Sequence, residues 1–174
     1  QWTIPNADRD NVRAVAVTPD GRYLISAGDD AVIKVWNTAN GKPVAKLEGH
    51  TECIFSLAIS PNGKHLVSGD LYGSIRQWSI GGWKLDRKLD GKILHTRLDN
   101  FIADVGGVRS LAFSPDGRRI AAAARGVHVL DLSDGHTVIK VREDTHFRSV
   151  AFSSDGRHLA AGSLDGGAQI FDLA

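Results

Sequence analysis

In Ser56-Leu57-Ala58-Ile59 large apolar and small residues alternate, and a pleated strand turns that two-residue period into one bulky face and one small face. Both faces suit burial, because the bulky one fills a core and the small one lets a neighbouring sheet approach closely. The same segment is written four times, as VRAVAVTPDGRYLISAG from Val12, IFSLAISPNGKHLVSGD from Ile54, VRSLAFSPDGRRIAAAA from Val108 and FRSVAFSSDGRHLAAGS from Phe147. Each copy passes through a turn such as Ser114-Pro115-Asp116-Gly117, where Pro presets φ and Gly accepts a left-handed conformation, so the pattern predicts a hairpin. A second apolar run follows at Tyr23 to Ala27, His65 to Ser68, Arg119 to Ala123 and His158 to Ala161. A Gly- or Asp-containing turn leads to a third run, at Val32 to Trp36, Ile75 to Trp78, Val127 to Leu130 and Ala168 to Phe171. A weaker fourth strand, such as Pro43 to Leu47, completes the unit.

The turn prolines Pro19, Pro61 and Pro115 stand about 42 and 54 residues apart, and Ser154 takes the proline's place about 39 residues later, giving a unit of about 40 residues with one insertion. The units fall at 12–47, 54–89, 108–142 and 147–174, with the insertion at 90–107 and residues 1–4 read as the last strand of another unit. Gly49-His50 precedes one unit, SPDG-like turns recur, and an aromatic followed by a polar residue closes the third run. At these residues the chain resembles the WD-repeat β-propeller family, over nearly its whole length outside the insertion. The family's Trp-Asp pair stands here as Trp36-Asn37, Trp78-Ser79, Leu130-Asp131 and Phe171-Asp172.

The resemblance implies an all-β propeller of four-stranded blades and a non-catalytic scaffold for protein–protein interaction. It also implies a hydrogen-bonded network of His, Ser or Thr, Asp and Trp inside a blade. The first blade offers Ser26, Asp30 and Trp36 but has acidic residues where the His would sit; the second offers His50, Ser68 and Trp78 but has Tyr72 where the Asp would be. No blade is therefore expected to hold the full set. Propellers typically have about four to eight blades. Either Gln1 to Ile4 closes a four-bladed ring, or the chain is an arc of a larger one; the arc is the expectation adopted, since repeat arrays run on until capped or closed. An open arc predicts self-association through its exposed edges.

Charge narrows the partners. With 21 Lys plus Arg against 20 Asp plus Glu, the formal charge of +1 gives no basic stripe, so nucleic acid is not an expected partner. No apolar run approaches the ~20 residues that span a bilayer, so neither is a membrane. The single cysteine, Cys53, permits no disulfide within the chain and no Cys-based zinc site, and the compartment stays open.

The candidate binding position is the second residue of the first strand: Arg13, Phe55, Arg109 and Arg148 in successive blades. In a propeller this strand is innermost, so the three arginines would ring one mouth of the channel and suit acidic protein partners through bidentate, charge-assisted bonds. The competing expectation is that they pair with nearby Asp or Glu. In the insertion, Leu94, Leu98, Phe101, Ile102 and Val105 fall at helical spacing ahead of Gly106-Gly107, which predicts a short amphipathic helix. Leu94, Leu98 and Phe101 are its candidate partner contacts, against packing on the propeller's own surface. Arg22, Lys64, Arg118 and Arg157 are expected as a solvated band on the opposite face, and Trp83 either as an exposed anchor or in packing.

No enzyme is read from this sequence. The seven histidines form no HExxH, there is neither a GxSxG turn nor a GxxxxGK[ST] loop, and Asp20, Asp116 and Asp155 sit in hairpin turns that explain them. Neither a metal nor a cofactor is expected. The alternative is an accessory or gating propeller of a larger enzyme whose catalytic part lies elsewhere.

Overall fold

The computed structural model describes residues 3–4, 11–89 and 107–173, and every regular element among them is a strand. The strands β1 (Val12–Val17), β2 (Tyr23–Gly28), β3 (Ile33–Asn37) and β4 (Pro43–Leu47) pair antiparallel in chain order. A second four-stranded blade repeats this with β5 (Ile54–Ile59), β6 (His65–Asp70), β7 (Ile75–Ser79) and β8 (Lys84–Leu89). The remaining strands, β9 (Ser110–Phe113), β10 (Arg119–Asp131), β11 (Thr137–Phe152), β12 (His158–Ser163) and β13 (Ala168–Asp172), form one hydrogen-bonded set in the order β13-β12-β11-β10-β9.

That last set is two blades joined by long strands. β10 carries both arms of a hairpin: Leu132 N donates to Arg118 O at 2.8 Å, as Thr38 N does to Arg22 O and Ile80 N to Lys64 O at 3.0 Å. The turn shrinks to Arg125 and Gly126, whose φ of 81° needs a glycine. β11 is the outer strand of the third blade where Thr137 to Val141 pair with β10, and the inner strand of the fourth where Phe147 to Phe152 pair with β12.

The first hairpin of every blade closes alike. The hydroxyls of Thr18, Ser114 and Ser153 donate to Asp20, Asp116 and Asp155 at 2.6 Å, and Ser60 donates to Asn62 at 2.7 Å. The same side-chain oxygens of the Asp or Asn accept the backbone N–H two residues on, which is why this turn favours an acidic or amide residue. Successive turns also stack: a Cβ on Gly63 would meet Pro19 at 3.5 Å, one on Gly117 would meet Pro61 at 3.6 Å, and one on Gly156 would meet Pro115 at 3.5 Å.

Burial is concentrated at the seams between blades. Ile25, Ile33, Val35 and Leu47 of the first blade pack on Ile54, Leu66 and Trp78 of the second. Val67, Ile75 and Leu89 then pack on Leu111, Ile120 and Leu130 of the third, and Ala121, Ala123 and Val129 on Val150, Leu159 and Ala161 of the fourth. The alternation of bulky and small residues sets this up, because register pairs Leu57, Ile59, Leu66 and Trp78 on one face of the second blade and Ser56, Ala58, Val67 and Gly69 on the other. At Gly69 the fit is tightest: a Cβ there would lie 2.6 Å from Val108 and 2.7 Å from Ser56 Oγ, while Ser56 Oγ donates to Val108 O at 2.9 Å.

The two outer flanks are open. On the first blade Val15 is 63% and Val17 54% exposed, and on the fourth Ile170 is 75% exposed beside exposed Ala151 and Ala160. Two expectations reach beyond the described residues. Of the segment 1–4, read as a strand of a preceding or closing blade, only Thr3 and Ile4 are described, and they carry no strand pairing here. The helix expected in the insertion, with Leu94, Leu98 and Phe101, lies outside the described residues. No helix among the described residues is long and apolar enough to cross a membrane.

Candidate partner-binding surface

The first strands of successive blades are neighbours, β1 beside β5, β5 beside β9 and β9 beside β11, so their N-terminal ends gather at one place. There β1, β5 and β11 each carry a register shift, between Val12 and Ala14, Ile54 and Ser56, and Phe147 and Ser149. The residues left at these bulges are Arg13, Phe55 and Arg148. A bulge re-aims its side chain out of the pleat, which is how positions inside a strand come to face the mouth.

Three of the four are brought together. The Arg109 guanidinium lies over the Phe55 ring at 4.0 Å from its centroid, and Arg13 approaches the same ring at 5.6 Å. Phe55 is thus the centre of a double cation–π arrangement, its ring face drawing both guanidinium groups. Arg13 is also locally paired: its Nε donates to Asp29 Oδ1 at 2.7 Å and its Nη2 to Asp29 Oδ2 at 3.0 Å, with Asn11 donating to the same oxygen at 2.9 Å. These bonds, Arg13 first, hold the Asp29 carboxyl at about 2, well below the usual range. Arg148 is half-buried on the fourth blade.

Behind the mouth lies a buried network. Trp78 Nε1 donates to Ser68 Oγ at 2.8 Å, and Ser68 Oγ stands 2.6 Å from His50 Nε2. His50 Nδ1 is 2.7 Å from Asp70 Oδ2. With its oxygen receiving the indole N–H, the Ser68 hydroxyl passes its own hydrogen to Nε2, and Nδ1–H goes to Asp70. The second blade therefore holds the full set after all, which corrects the expectation that no blade does. Tyr72 does occupy the usual position of the acid, but Asp70, two residues earlier in the same turn, reaches the imidazole instead while its Oδ1 accepts Tyr72 N at 3.0 Å and Ser74 N at 2.8 Å. In the first blade Trp36 Nε1 donates to Ser26 at 2.9 Å, while Asp30 takes the Lys34 ammonium at 2.6 Å.

On the opposite face Trp83 is half-buried and meets Tyr23 edge-on, with ring centroids 5.2 Å apart at 81°. It packs the first two blades together, at a φ of 48° that glycines fill at the matching turns, Gly41 at 68° and Gly135 at 80°. Arg22 and Lys64 line the shallow groove beside it with Pro19, Pro61 and His65. Burial raises the Cys53 thiol, with the charge of Asp29 adding to it, so it is not set up as a thiolate nucleophile. Among the described residues no three His, Cys, Asp or Glu side chains gather as metal ligands.

A stack of four-stranded antiparallel sheets whose first strands converge defines a β-propeller arc. The model of the family described as WD domain, G-beta repeat matches residues 2–37, 41–79, 96–136 and 127–172, and the chain belongs to that family. It is similar to the general transcriptional corepressor TUP1 of Saccharomyces cerevisiae, 39% identical over 46 residues, which is 26% of this chain and 6% of the corepressor. It is also similar to the kinesin-like protein KIF21B of Homo sapiens, 47% identical over 47 residues, 27% of this chain and 3% of the kinesin-like protein. A third relative is the ribosome biogenesis protein BOP1 homolog of Drosophila melanogaster, 44% identical over 39 residues, 22% of this chain and 5% of the relative. These matches are about one repeat long, so they carry the repeat and not the work of the whole relatives.

Proposed function

We propose that this chain is a non-catalytic scaffold that binds acidic segments of other proteins at the mouth formed by Arg13, Phe55 and Arg109, with Arg148 extending it. The observation that carries the reading is the Phe55 ring with guanidinium groups at 4.0 and 5.6 Å. An aromatic ring holding arginines gives a rigid, cationic and partly apolar anchor, the composition that dominates binding energy at protein interfaces. Within this mouth Asp29 holds Arg13 in place. The test is capture of partners by the wild-type chain followed by affinity measurement against Arg109→Ala with Arg148→Ala. A loss of about tenfold or more is expected for the removed anchors, and unchanged affinity for every partner would sink the reading. A second interaction is supported by the open flanks: Val15, Val17 and Ile170 favour association of one copy with another.

A further inference from the structure

Arg76 is only 6% exposed, and none of the described residues gives its guanidinium a hydrogen bond or an ion pair; its Nε is fully enclosed without a partner. The first blade supplies the comparison. Register pairs Ser26 with Lys34 and Ser68 with Arg76, so the two cations occupy the same place in successive blades. Lys34 is neutralised by Asp30 at 2.6 Å. The residue in Asp30's place in the second blade is Tyr72, which is 54% exposed and carries no charge to give. Asp70 attracts Arg76, but its carboxylate is already committed to His50, Tyr72 N and Ser74 N. Burial accordingly holds the Arg76 pKa below the ordinary arginine range, with Asp70 opposing that effect, although a guanidinium stays charged.

Over this cation the cover is backbone alone. Gly49, exposed and at a φ of 146°, packs on it so closely that a Cβ there would fall 3.0 Å from Arg76 Nη1 and 3.6 Å from Trp78 Cη2, tighter than a side chain settles. The Trp78 ring edge walls one side, and Lys88, opposite Arg76 on β8 and exposed, adds positive charge. A planar guanidinium without acceptors matches a planar carboxylate that accepts two parallel N–H bonds.

We propose that Arg76 anchors a second anion site, at the seam between the first and second blades, which takes a carboxylate side chain from an acidic segment of a protein partner. It rests on the reading that the chain binds acidic protein segments, and it adds a specific buried anchor away from the Phe55 mouth. Tyr72→Asp restores the first blade's internal arrangement and fills the site from within.

The arginine Nε–H signals of the 174-residue chain in nitrogen-15 spectra, with Arg76 assigned through Arg76→Lys, read this directly. The probe is a capped peptide of glutamates, with the matching glutamine peptide as its uncharged control. The Arg76 signal is expected to shift saturably with the glutamate peptide alone, and Tyr72→Asp to weaken that response by about tenfold or more. A peptide that moves the Arg13 or Arg109 signals and leaves Arg76 still overturns this proposal while sparing the Phe55 mouth. Shifts at none of the three overturn both readings, and an undiminished Arg76 response in Tyr72→Asp overturns the argument from the missing internal partner.

Discussion

Ser68 and Ser26 stand at the same register position, paired with Arg76 and Lys34, yet they carry different loads. Ser68 Oγ joins Trp78 Nε1 and His50 Nε2, both buried, whereas Ser26 Oγ receives only the Nε1 of half-buried Trp36. Leaving a buried polar group unpaired costs about 1–3 kcal/mol each. Ser68→Ala is therefore expected to destabilise the chain by about 3 kcal/mol and Ser26→Ala by about 1 kcal/mol, read from denaturant midpoints with unchanged m-values. Equal losses would mean that the imidazole adds nothing to the second blade. The members His50, Ser68 and Trp78 were legible in the sequence because each stands at its usual spacing. Asp70 was not, since the relevant quantity is the reach of a carboxylate across a turn, and a residue two positions early can meet the same nitrogen.

At the scale of the element, glycines with nearly the same φ separate backbone preference from close approach. Gly107, at 81°, leads into β9 with Val108 N donating to Asp70 O at 2.9 Å, and a Cβ on it would stand 2.6 Å from Leu71 O and 2.7 Å from Asp70 O. Gly21, at 71°, has nothing within 4 Å of its would-be Cβ. Gly21→Ala thus bears only the left-handed penalty of about 1–2 kcal/mol, and Gly107→Ala must in addition push apart two backbone segments, for an expected loss larger by about 2 kcal/mol. Thermal unfolding of the two variants decides it; similar midpoints would show that the entry to the third blade yields freely. Alternation and turn chemistry place strands such as β4 at Pro43–Leu47 from sequence alone, because both are local properties. They do not reveal that β11 serves two blades, or that bulges turn Arg13, Phe55 and Arg148 outward, since both depend on how separate strands register.

Across the whole molecule each seam sets a small-residue face against a bulky one, and the two flanks left over are complementary in the same sense. The first blade presents Val15, Val17, Leu24 and Trp36, while the fourth presents Ser149, Ala151, Ala160, Ala168 and Ile170. A contact between copies that repeats the internal seams is head-to-tail, so it uses one flank of each kind, unlike a twofold interface built from one patch on both copies, and it closes only where the rotation per copy completes a ring. Light scattering across a concentration series is expected to give masses rising above the 18.7 kDa of one chain. Val15→Lys and Ile170→Lys, each placing a charge on a different flank, should both return the monomer mass. Mixing the two variants separates the geometries: the intact fourth-blade flank of one and the intact first-blade flank of the other can still meet once, so a capped dimer should appear in the mixture and in neither variant alone. Dimers that survive Ile170→Lys but vanish with Val15→Lys would instead place the contact between two first blades, and a monomer at every concentration would remove self-association through these flanks.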